Sequence, residues 1–245
     1  MRRFRLFIRG GLKLTLSLLC NLFLLVILFF VFNKEGYIEK VFVKLGIKEY
    51  VVAKDWTAYS WESCLANLNL DVDVVFFGDS LTRGGKFQNY FVETQICNLG
   101  CSGDSVQKMQ DRVGMVSTVH PEKIFLMGGI NNLLAGESIS EIQSEYLELL
   151  DSIVTECPEA DIYIESLLPI NIDMKRTQVT NDDIKSLNLL LEEIASTRGY
   201  KYIDLFSLYY ENGQLPEKFT IDGIHLQDEA YNLWANAISE YISRE

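Results

Sequence analysis

A serine, a histidine and an aspartate lie in two short segments whose spacing suits nucleophilic catalysis. Ser80 follows Gly78 and Asp79 in a Gly-Asp-Ser-Leu run, and Asp222 precedes His225 by three residues. A serine hydroxyl is a weak nucleophile that needs a general base, and neutral imidazole suits that role at pH 7. An acceptor such as Asp222 fixes the tautomer of the imidazole and stabilises its charged form. Together these residue types indicate a hydroxyl nucleophile that is activated by a histidine.

Each of these segments also has a simpler interpretation. Gly-Asp-Ser is a common turn, and a histidine just before a helix, such as His225, often only caps the helix or packs against it. The sequence contains two histidines, and the other, His120, precedes Pro121 in an expected loop, where we interpret it as solvated. If the chain uses a histidine base, the sequence therefore predicts that it is His225.

Two further segments have the composition to stabilise a developing negative charge. Residues 98–105 read Asn-Leu-Gly-Cys-Ser-Gly-Asp-Ser, where a glycine lets the backbone approach an oxyanion and aim an N–H at it. Residues 128–132 read Gly-Gly-Ile-Asn-Asn, where an asparagine amide can donate to the same oxygen. Both compositions are also typical of ordinary turns.

Alternating strands and helices are predicted around these segments. Short β-branched and aromatic runs indicate buried strands, and apolar residues spaced along one face indicate helices. Asn181 is expected to cap the third helix and Gly199 to end it. The predicted strands are 73–77, 94–99, 123–127, 161–165 and 201–205, and the predicted helices are 105–119, 138–156, 181–198 and 228–243.

This alternation predicts an α/β fold, a three-layer α/β/α domain with a five-stranded parallel sheet covered on both faces. In such sheets, ligands bind at the carboxyl ends of the strands. The chemically suggestive segments follow four of the predicted strands, so we expect them to meet in one crevice.

In order and placement the four segments resemble those of the SGNH hydrolases, also called GDSL esterases or lipases. That family is built around an early Gly-Asp-Ser-Leu, a later Ser-Gly-Asp, a Gly-x-Asn-Asp/Asn and a terminal Asp-x-x-His. Residues 219–226, Phe-Thr-Ile-Asp-Gly-Ile-His-Leu, look very like the family's last block, as does the following Trp234. The resemblance covers about residues 70–243 and implies the SGNH, flavodoxin-like form of the α/β/α fold.

Matched motif by motif, the resemblance implies a role for each residue. Ser80 is the nucleophile, His225 is the base and Asp222 orients that base. The oxyanion hole consists of the backbone N–H groups of Ser80 and Gly103 together with the side chain of Asn131.

Two of these assignments have neighbouring alternatives. Gly103 is preferred to Gly100 through the Ser-Gly-Asp match, and Asn131 is preferred to Asn132 through the Gly-x-Asn spacing. Gly100 and Asn132 remain open as the oxyanion donors.

The implied reaction is acyl transfer, in which the serine attacks an ester and water releases the acid. No cofactor or metal is expected. The favoured substrates are small-molecule or glycan esters, above all acetyl esters of carbohydrates or cell-envelope polymers. A lysophospholipase or lipase, transfer of the acyl group to a sugar, and a catalytically idle membrane-anchored binding module are the alternatives.

The loop at residues 167–180 is expected to border the crevice. Its Lys175 and Arg176 either contact an anionic or sugar group of the substrate or are solvated surface residues.

The charge is unevenly distributed along the chain. Lys and Arg number 22 against 34 Asp and Glu, a net charge of −12, yet residues 1–13 hold five bases and no acid. The remainder is therefore strongly acidic, which argues against nucleic acid as a partner, because phosphate contact needs clustered Lys and Arg.

The N-terminus predicts a membrane anchor. Residues 14–32 carry no formal charge and are long enough to cross a ~30 Å hydrocarbon core as a helix. The preceding basic segment, 1–13, predicts a cytoplasmic N-terminus and an extracytoplasmic remainder, periplasmic or extracellular. A stalk and leading helix would occupy 33–66, and the hydrolase domain 67–245. A cleaved signal peptide is the competing interpretation, but the apolar run ends without a small-x-small site.

The cysteines leave two interpretations open. Cys97 and Cys101 flank a turn-like segment, so they either form a disulfide or serve as small apolar core residues, like Cys64 and Cys157. Cys20 lies within the predicted anchor.

Overall fold

The computed structural model describes residues 71–242. The predicted anchor at 14–32 and stalk at 33–66 lie outside these residues. Within the described range no helix is long and apolar enough to cross a bilayer.

A parallel sheet forms the centre of the domain, as predicted. Its strands are β1 (Val74–Gly78), β2 (Ile96–Gly100), β3 (Lys123–Met127), β4 (Asp161–Glu165) and β5 (Lys201–Ile203). The five strands are arranged in the order β2-β1-β3-β4-β5, and every neighbouring pair is parallel. Because the chain order reverses between β1 and β3, a crevice for ligands opens at their carboxyl ends.

Helices cover the sheet and complete the three-layer α/β/α fold. They are α1 (Ser80–Gly84), α2 (Val106–Gln110), α3 (Gly114–Ser117), α4 (Ile130–Ala135), α5 (Ile139–Glu156), α6 (Asn181–Arg198), α7 (Phe206–Tyr209) and α8 (Tyr231–Ile242). Single 3-10 turns lie at Phe87–Asn89, Glu217–Phe219 and Asp228–Ala230.

The core lies on both faces of the sheet, which is why the central strands are continuous apolar runs. All five residues of β1 are buried. Phe76 stacks on Phe87 and on Phe125, with ring centroids 3.8 and 5.0 Å apart. These contacts fix the strand that leads directly into the predicted nucleophile.

Several predicted elements differ in detail from those observed. The single helix expected at 105–119 is divided into α2 and α3, since the chain turns at 111–113 and Gly114 begins a new helix. The last predicted helix begins with a 3-10 turn, and β5 has three residues instead of five. Residues 130–135, where the sequence predicted no helix, form α4.

The ends of α6 confirm one expectation and correct another. Gly199 ends the helix with a left-handed φ of 76°. The cap at its start is Thr180, whose hydroxyl accepts the N–H of Asp183, whereas the side chain of Asn181 bonds to both backbone groups of Ile170. Asn181 thus fixes the loop before the helix instead of capping it.

Candidate active site

Ser80 lies where β1 turns into α1. The side chain of buried Asp79 accepts the N–H of Leu81 at 2.9 Å and caps this helix. Gly78 is packed so closely that a Cβ there would lie 2.5 Å from the carbonyl oxygen of Met127. The sharp turn therefore places Ser80 in the first turn of a helix at the carboxyl edge of the sheet, where backbone N–H groups favour negative charge.

The structure brings Ser80, His225 and Asp222 together in one hydrogen-bonded series. Ser80 Oγ lies 3.0 Å from His225 Nε2, and His225 Nδ1 lies 2.8 Å from Asp222 Oδ2. With Nδ1 protonated toward the carboxylate, Nε2 is the free acceptor for the serine hydroxyl. This arrangement can remove the Ser80 proton as the oxygen attacks.

The loop that carries His225 is held by its own backbone and by Thr220. The Thr220 hydroxyl donates to the carbonyl of His225 at 2.8 Å and accepts the N–H of Gly223 at 2.9 Å. Gly223 has a φ of 92°, which a residue with a Cβ adopts only with strain. These contacts position the imidazole before any substrate binds.

Asp222 remains an anion over the neutral range. Burial raises the pKa of its carboxyl, but hydrogen bonds from the backbone and ring of His225 and from the N–H of Ile224 outweigh burial and lower the pKa to about 2. The resulting charge stabilises a protonated imidazole.

The two candidate glycines, Gly100 and Gly103, have different surroundings. The N–H of Gly100 is already bonded to Asn98 Oδ1 at 2.9 Å, and a Cβ on Gly100 would lie 2.2 Å from the nitrogen of Arg83. The absence of a side chain at Gly100 therefore allows β2 to pack closely against α1. Gly103 has a φ of 78°, and a Cβ on it would meet no atom within 4 Å. Gly103 therefore stays the candidate for the oxyanion hole.

The adjacent residues Asn131 and Asn132 differ in burial and in hydrogen-bond partners. Asn131 is half-buried and donates through Nδ2 to the carbonyl of Asp104 at 2.8 Å, beside Gly103, and its second amide hydrogen remains available. Asn132 is fully buried, and its side chain bonds to Val106 and to Glu137 and Glu145. Asn132 therefore joins α4 to neighbouring segments through buried hydrogen bonds.

Arg112 is part of the site's support, and the motifs gave no sign of it. Its side chain is buried and donates to Asp104 at 2.5 Å, to the carbonyl of Leu99 at 2.7 Å and to the carbonyl of Gly78 at 2.8 Å. It joins the ends of β1 and β2 to the loop of Gly103. Because Lys108, Gln110 and Asp111 precede it in the same segment, the sequence held no signal that singled out Arg112.

The loop at 167–180 does border the candidate site. The N–H of Asn171 donates to the carbonyl of Gly223 at 2.8 Å, and Lys175 packs against that glycine. Arg176 is exposed.

The described cysteines are free thiols. Cys97, Cys101 and Cys157 form no disulfide, and burial raises the pKa of Cys97 and Cys157 to about 11. Two of them, Cys101 and Cys157, are buried, which matches the interpretation as apolar core residues. Within residues 71–242 no group of three or more His, Cys, Asp or Glu side chains is placed to hold a metal ion.

Comparison with known proteins finds a matching family and solved structures with a similar fold. A model of the GDSL-like lipase/acylhydrolase family matches residues 76–233. A GDSL-like lipase from Bacteroides thetaiotaomicron is 19% identical, with a TM-score of 0.66 over 76% of this chain and 96% of the other. An acetyl-xylooligosaccharide esterase from Geobacillus is 20% identical, with a TM-score of 0.57 over 72% of this chain and 96% of the other.

A curated relative of this chain is much longer than the segment that the two proteins share. The N-acylneuraminate cytidylyltransferase of Streptococcus agalactiae serotype V is 26% identical over 165 residues, which is 67% of this chain. The match spans only 37% of that relative's length.

Proposed function

Because this chain belongs to the GDSL-like lipase/acylhydrolase family, we propose that it is a serine esterase that removes small acyl groups, above all acetyl groups, from carbohydrates or cell-envelope polymers. The observation that carries the proposal is the series from Ser80 Oγ through the His225 ring to Asp222, with contacts of 3.0 and 2.8 Å.

The proposed reaction has two halves. Ser80 Oγ attacks the ester carbonyl carbon while His225 Nε2 takes the hydroxyl proton and Asp222 stabilises the imidazolium. The oxyanion is held by the N–H groups of Ser80 and Gly103 and by the amide of Asn131. Its collapse expels the alcohol, which receives the proton from His225 and leaves an acyl ester on Ser80.

Water completes the cycle. His225 removes a proton from a water molecule as the water oxygen attacks the acyl carbon. The second tetrahedral intermediate expels the Ser80 oxygen, which regains its proton from His225, and the free acid departs. The same steps with a sugar hydroxyl in place of water would transfer the acyl group instead.

Two of the resemblances support a carbohydrate ester, whereas the GDSL-like lipase with the same fold supports a lipid. A solved structure with this fold is named as an acetyl-xylooligosaccharide esterase, and the curated relative is named for an N-acylneuraminate, a sugar acid. A lipase of the same family is the second candidate, because the uncharged run at 14–32 would hold the site near a membrane.

The test is hydrolysis of p-nitrophenyl esters from acetyl to long-chain by the full chain in detergent. We expect turnover that falls steeply with acyl length and that drops at least about 10⁴-fold in Ser80→Ala. Ser144→Ala is the matched control, since that exposed serine on α5 bonds only to its own helix. Turnover that rises with chain length would favour the lipase, and turnover equal in the wild type and Ser80→Ala would reject the esterase.

The same N-terminal run supports a single-pass anchor with the hydrolase domain outside the cytoplasm. Digestion of sealed, right-side-out membrane vesicles with an external protease tests this orientation. Loss of the hydrolase domain is expected, and its protection until the vesicles are lysed would reverse the assignment.

A further inference from the structure

The described part of the chain contains eleven basic side chains. Five of them form ion pairs with carboxylates within 4 Å, and four others lie on the segments around Ser80. The remaining two, Lys123 and Lys201, lie at the amino ends of β3 and β5. The paired residues are Lys86, Arg112, Lys185, Arg198 and Lys218, and the four others are Arg83, Lys108, Lys175 and Arg176. The carboxylates closest to these segments already have other partners, since Asp104 pairs with Arg112 and Asp222 with His225, although Lys108 also acts on the Asp104 carboxyl.

Arg83 follows the proposed nucleophile closely in the chain. It lies three residues after Ser80 on α1, and the missing side chain of Gly100 allows its backbone to rest on β2. Its exposed guanidinium donates to the hydroxyl of Ser102 at 3.2 Å. Since a guanidinium has five N–H donors, most of its hydrogen-bonding capacity is unused by that contact.

Lys108 reaches the same loop from the other side. Its ammonium donates to the carbonyl of Gly103 at 3.1 Å, so the two cations bond to adjacent residues, Ser102 and Gly103. Both acceptors are neutral, and both cations remain exposed to solvent. The N–H of Gly103, the proposed oxyanion donor, belongs to this loop.

We propose that Arg83 and Lys108 form an anion-binding subsite, and that the preferred substrate carries a carboxylate or a phosphate near its scissile ester. This inference rests on the esterase function proposed above. Arginine binds either anion through two parallel hydrogen bonds, and lysine adds a second point charge. The acidic body of the protein repels anions only weakly beyond about 8 Å at physiological salt, so these close contacts decide recognition.

Matched substrates test the subsite in the full chain. The first pair is an acetylated methyl glucoside and the corresponding acetylated uronic acid, which differ in one carboxylate. The second pair is acetylated glycerol and acetylated glycerol 1-phosphate. We expect kcat/KM to be about tenfold higher for the anionic member of at least one pair, the effect of one charge-assisted hydrogen bond. The pair that shows the preference identifies the anion.

Variants then connect the preference to the two residues. Arg83→Gln and Lys108→Gln should each reduce the ratio of anionic to neutral kcat/KM several-fold, and Arg83→Lys should have a smaller effect. Lys201→Gln, which removes a positive charge at the amino end of β5, should leave the ratio unchanged. Melting temperatures of all variants verify that each is folded.

Two results would overturn the inference in different ways. Equal or faster hydrolysis of the neutral esters, or a preference that survives both glutamine variants, would reject the subsite while the esterase stands. The absence of any Ser80-dependent hydrolysis of all four esters and of p-nitrophenyl acetate would reject the esterase and the subsite with it.

Discussion

The two adjacent asparagines that follow β3 have different partners, and we propose different roles for them. Asn131 directs its amide toward the loop of Gly103, whereas Asn132 is fully buried and bonds to Val106, Glu137 and Glu145. Asn131→Ala should therefore lower kcat about 10²–10³-fold with little change in stability. Asn132→Ala should instead lower the free energy of unfolding by about 1–3 kcal/mol, because buried polar partners are left unsatisfied.

Ester kinetics together with urea unfolding of both variants measure this division. If Asn132→Ala loses activity while keeping its stability, the assignment of the two residues is reversed. The sequence alone could not decide between them, because both belong to the same Gly-Gly-Ile-Asn-Asn run. They differ in their distant partners, since Asn131 bonds to Asp104 whereas Asn132 bonds to Val106 and Glu145.

Asp222 links catalysis to pH-dependent stability. Its folded-state pKa of about 2 lies below the ordinary value of 3.8. The ionised carboxylate thus stabilises the fold above pH 3.8, and this contribution is lost as the pH falls through 2. Asp222→Asn should lower kcat by up to about 10⁴-fold at pH 7. It should also lower the melting temperature at pH 7, by an amount that shrinks as the pH approaches 2. A difference in melting temperature that grew on acidification would contradict the depressed pKa.

At the scale of elements, the break between α2 and α3 has a clear physical function. Periodicity predicted one helix at 105–119, and in the structure the apolar residues Val106, Met109 and Val116 of that segment are buried. The turn at 111–113 instead directs Arg112 inward, to the carbonyl ends of β1 and β2. Local sequence patterns cannot encode that turn, because its partners are strand ends far away in the chain.

Removing Arg112 should cost much of the domain's stability. Arg112→Met leaves the buried Asp104 carboxylate without its ion-pair partner, which typically costs about 3–5 kcal/mol. The double variant Asp104→Asn, Arg112→Met should recover part of that loss. Urea unfolding of Arg112→Met, Asp104→Asn, the double variant and the wild type completes a double-mutant cycle. A single variant as stable as the wild type would show that the pair only positions the loop.

Across the whole molecule, sequence reasoning predicted the strand alternation, the layers and the meeting of four distant segments. These depend on patterns within each element and on the rule that parallel strands share one carboxyl edge. It did not predict the buried polar groups beneath that edge, which arise when separate elements pack together. Glu165, at the end of β4, is one such group and accepts a hydrogen bond from Trp234 on α8 at 2.6 Å.

Glu165 should make global stability depend on pH. Burial raises its pKa to about 8, although the Trp234 hydrogen bond opposes this, and Oε2 has no hydrogen-bond partner within the described residues. The folded state therefore favours the protonated acid. Ionisation in the unfolded chain lowers stability progressively as the pH rises from about 4.5 to about 8, and the full penalty persists above that range.

Glu165→Gln keeps the acceptor for Trp234 and cannot ionise. Its free energy of unfolding should exceed that of the wild type by an amount that grows between pH 5 and 9, toward an order of 3–5 kcal/mol. Urea unfolding at pH 5, 7 and 9 measures this, with Glu193→Gln on the exposed face of α6 as the control. A constant difference across that range would mean that Glu165 is ionised in the folded protein. The buried carboxylate would then need hydrogen bonds from both Trp234 and a second donor to Oε2. This charge would lie where α8 packs against the end of the sheet.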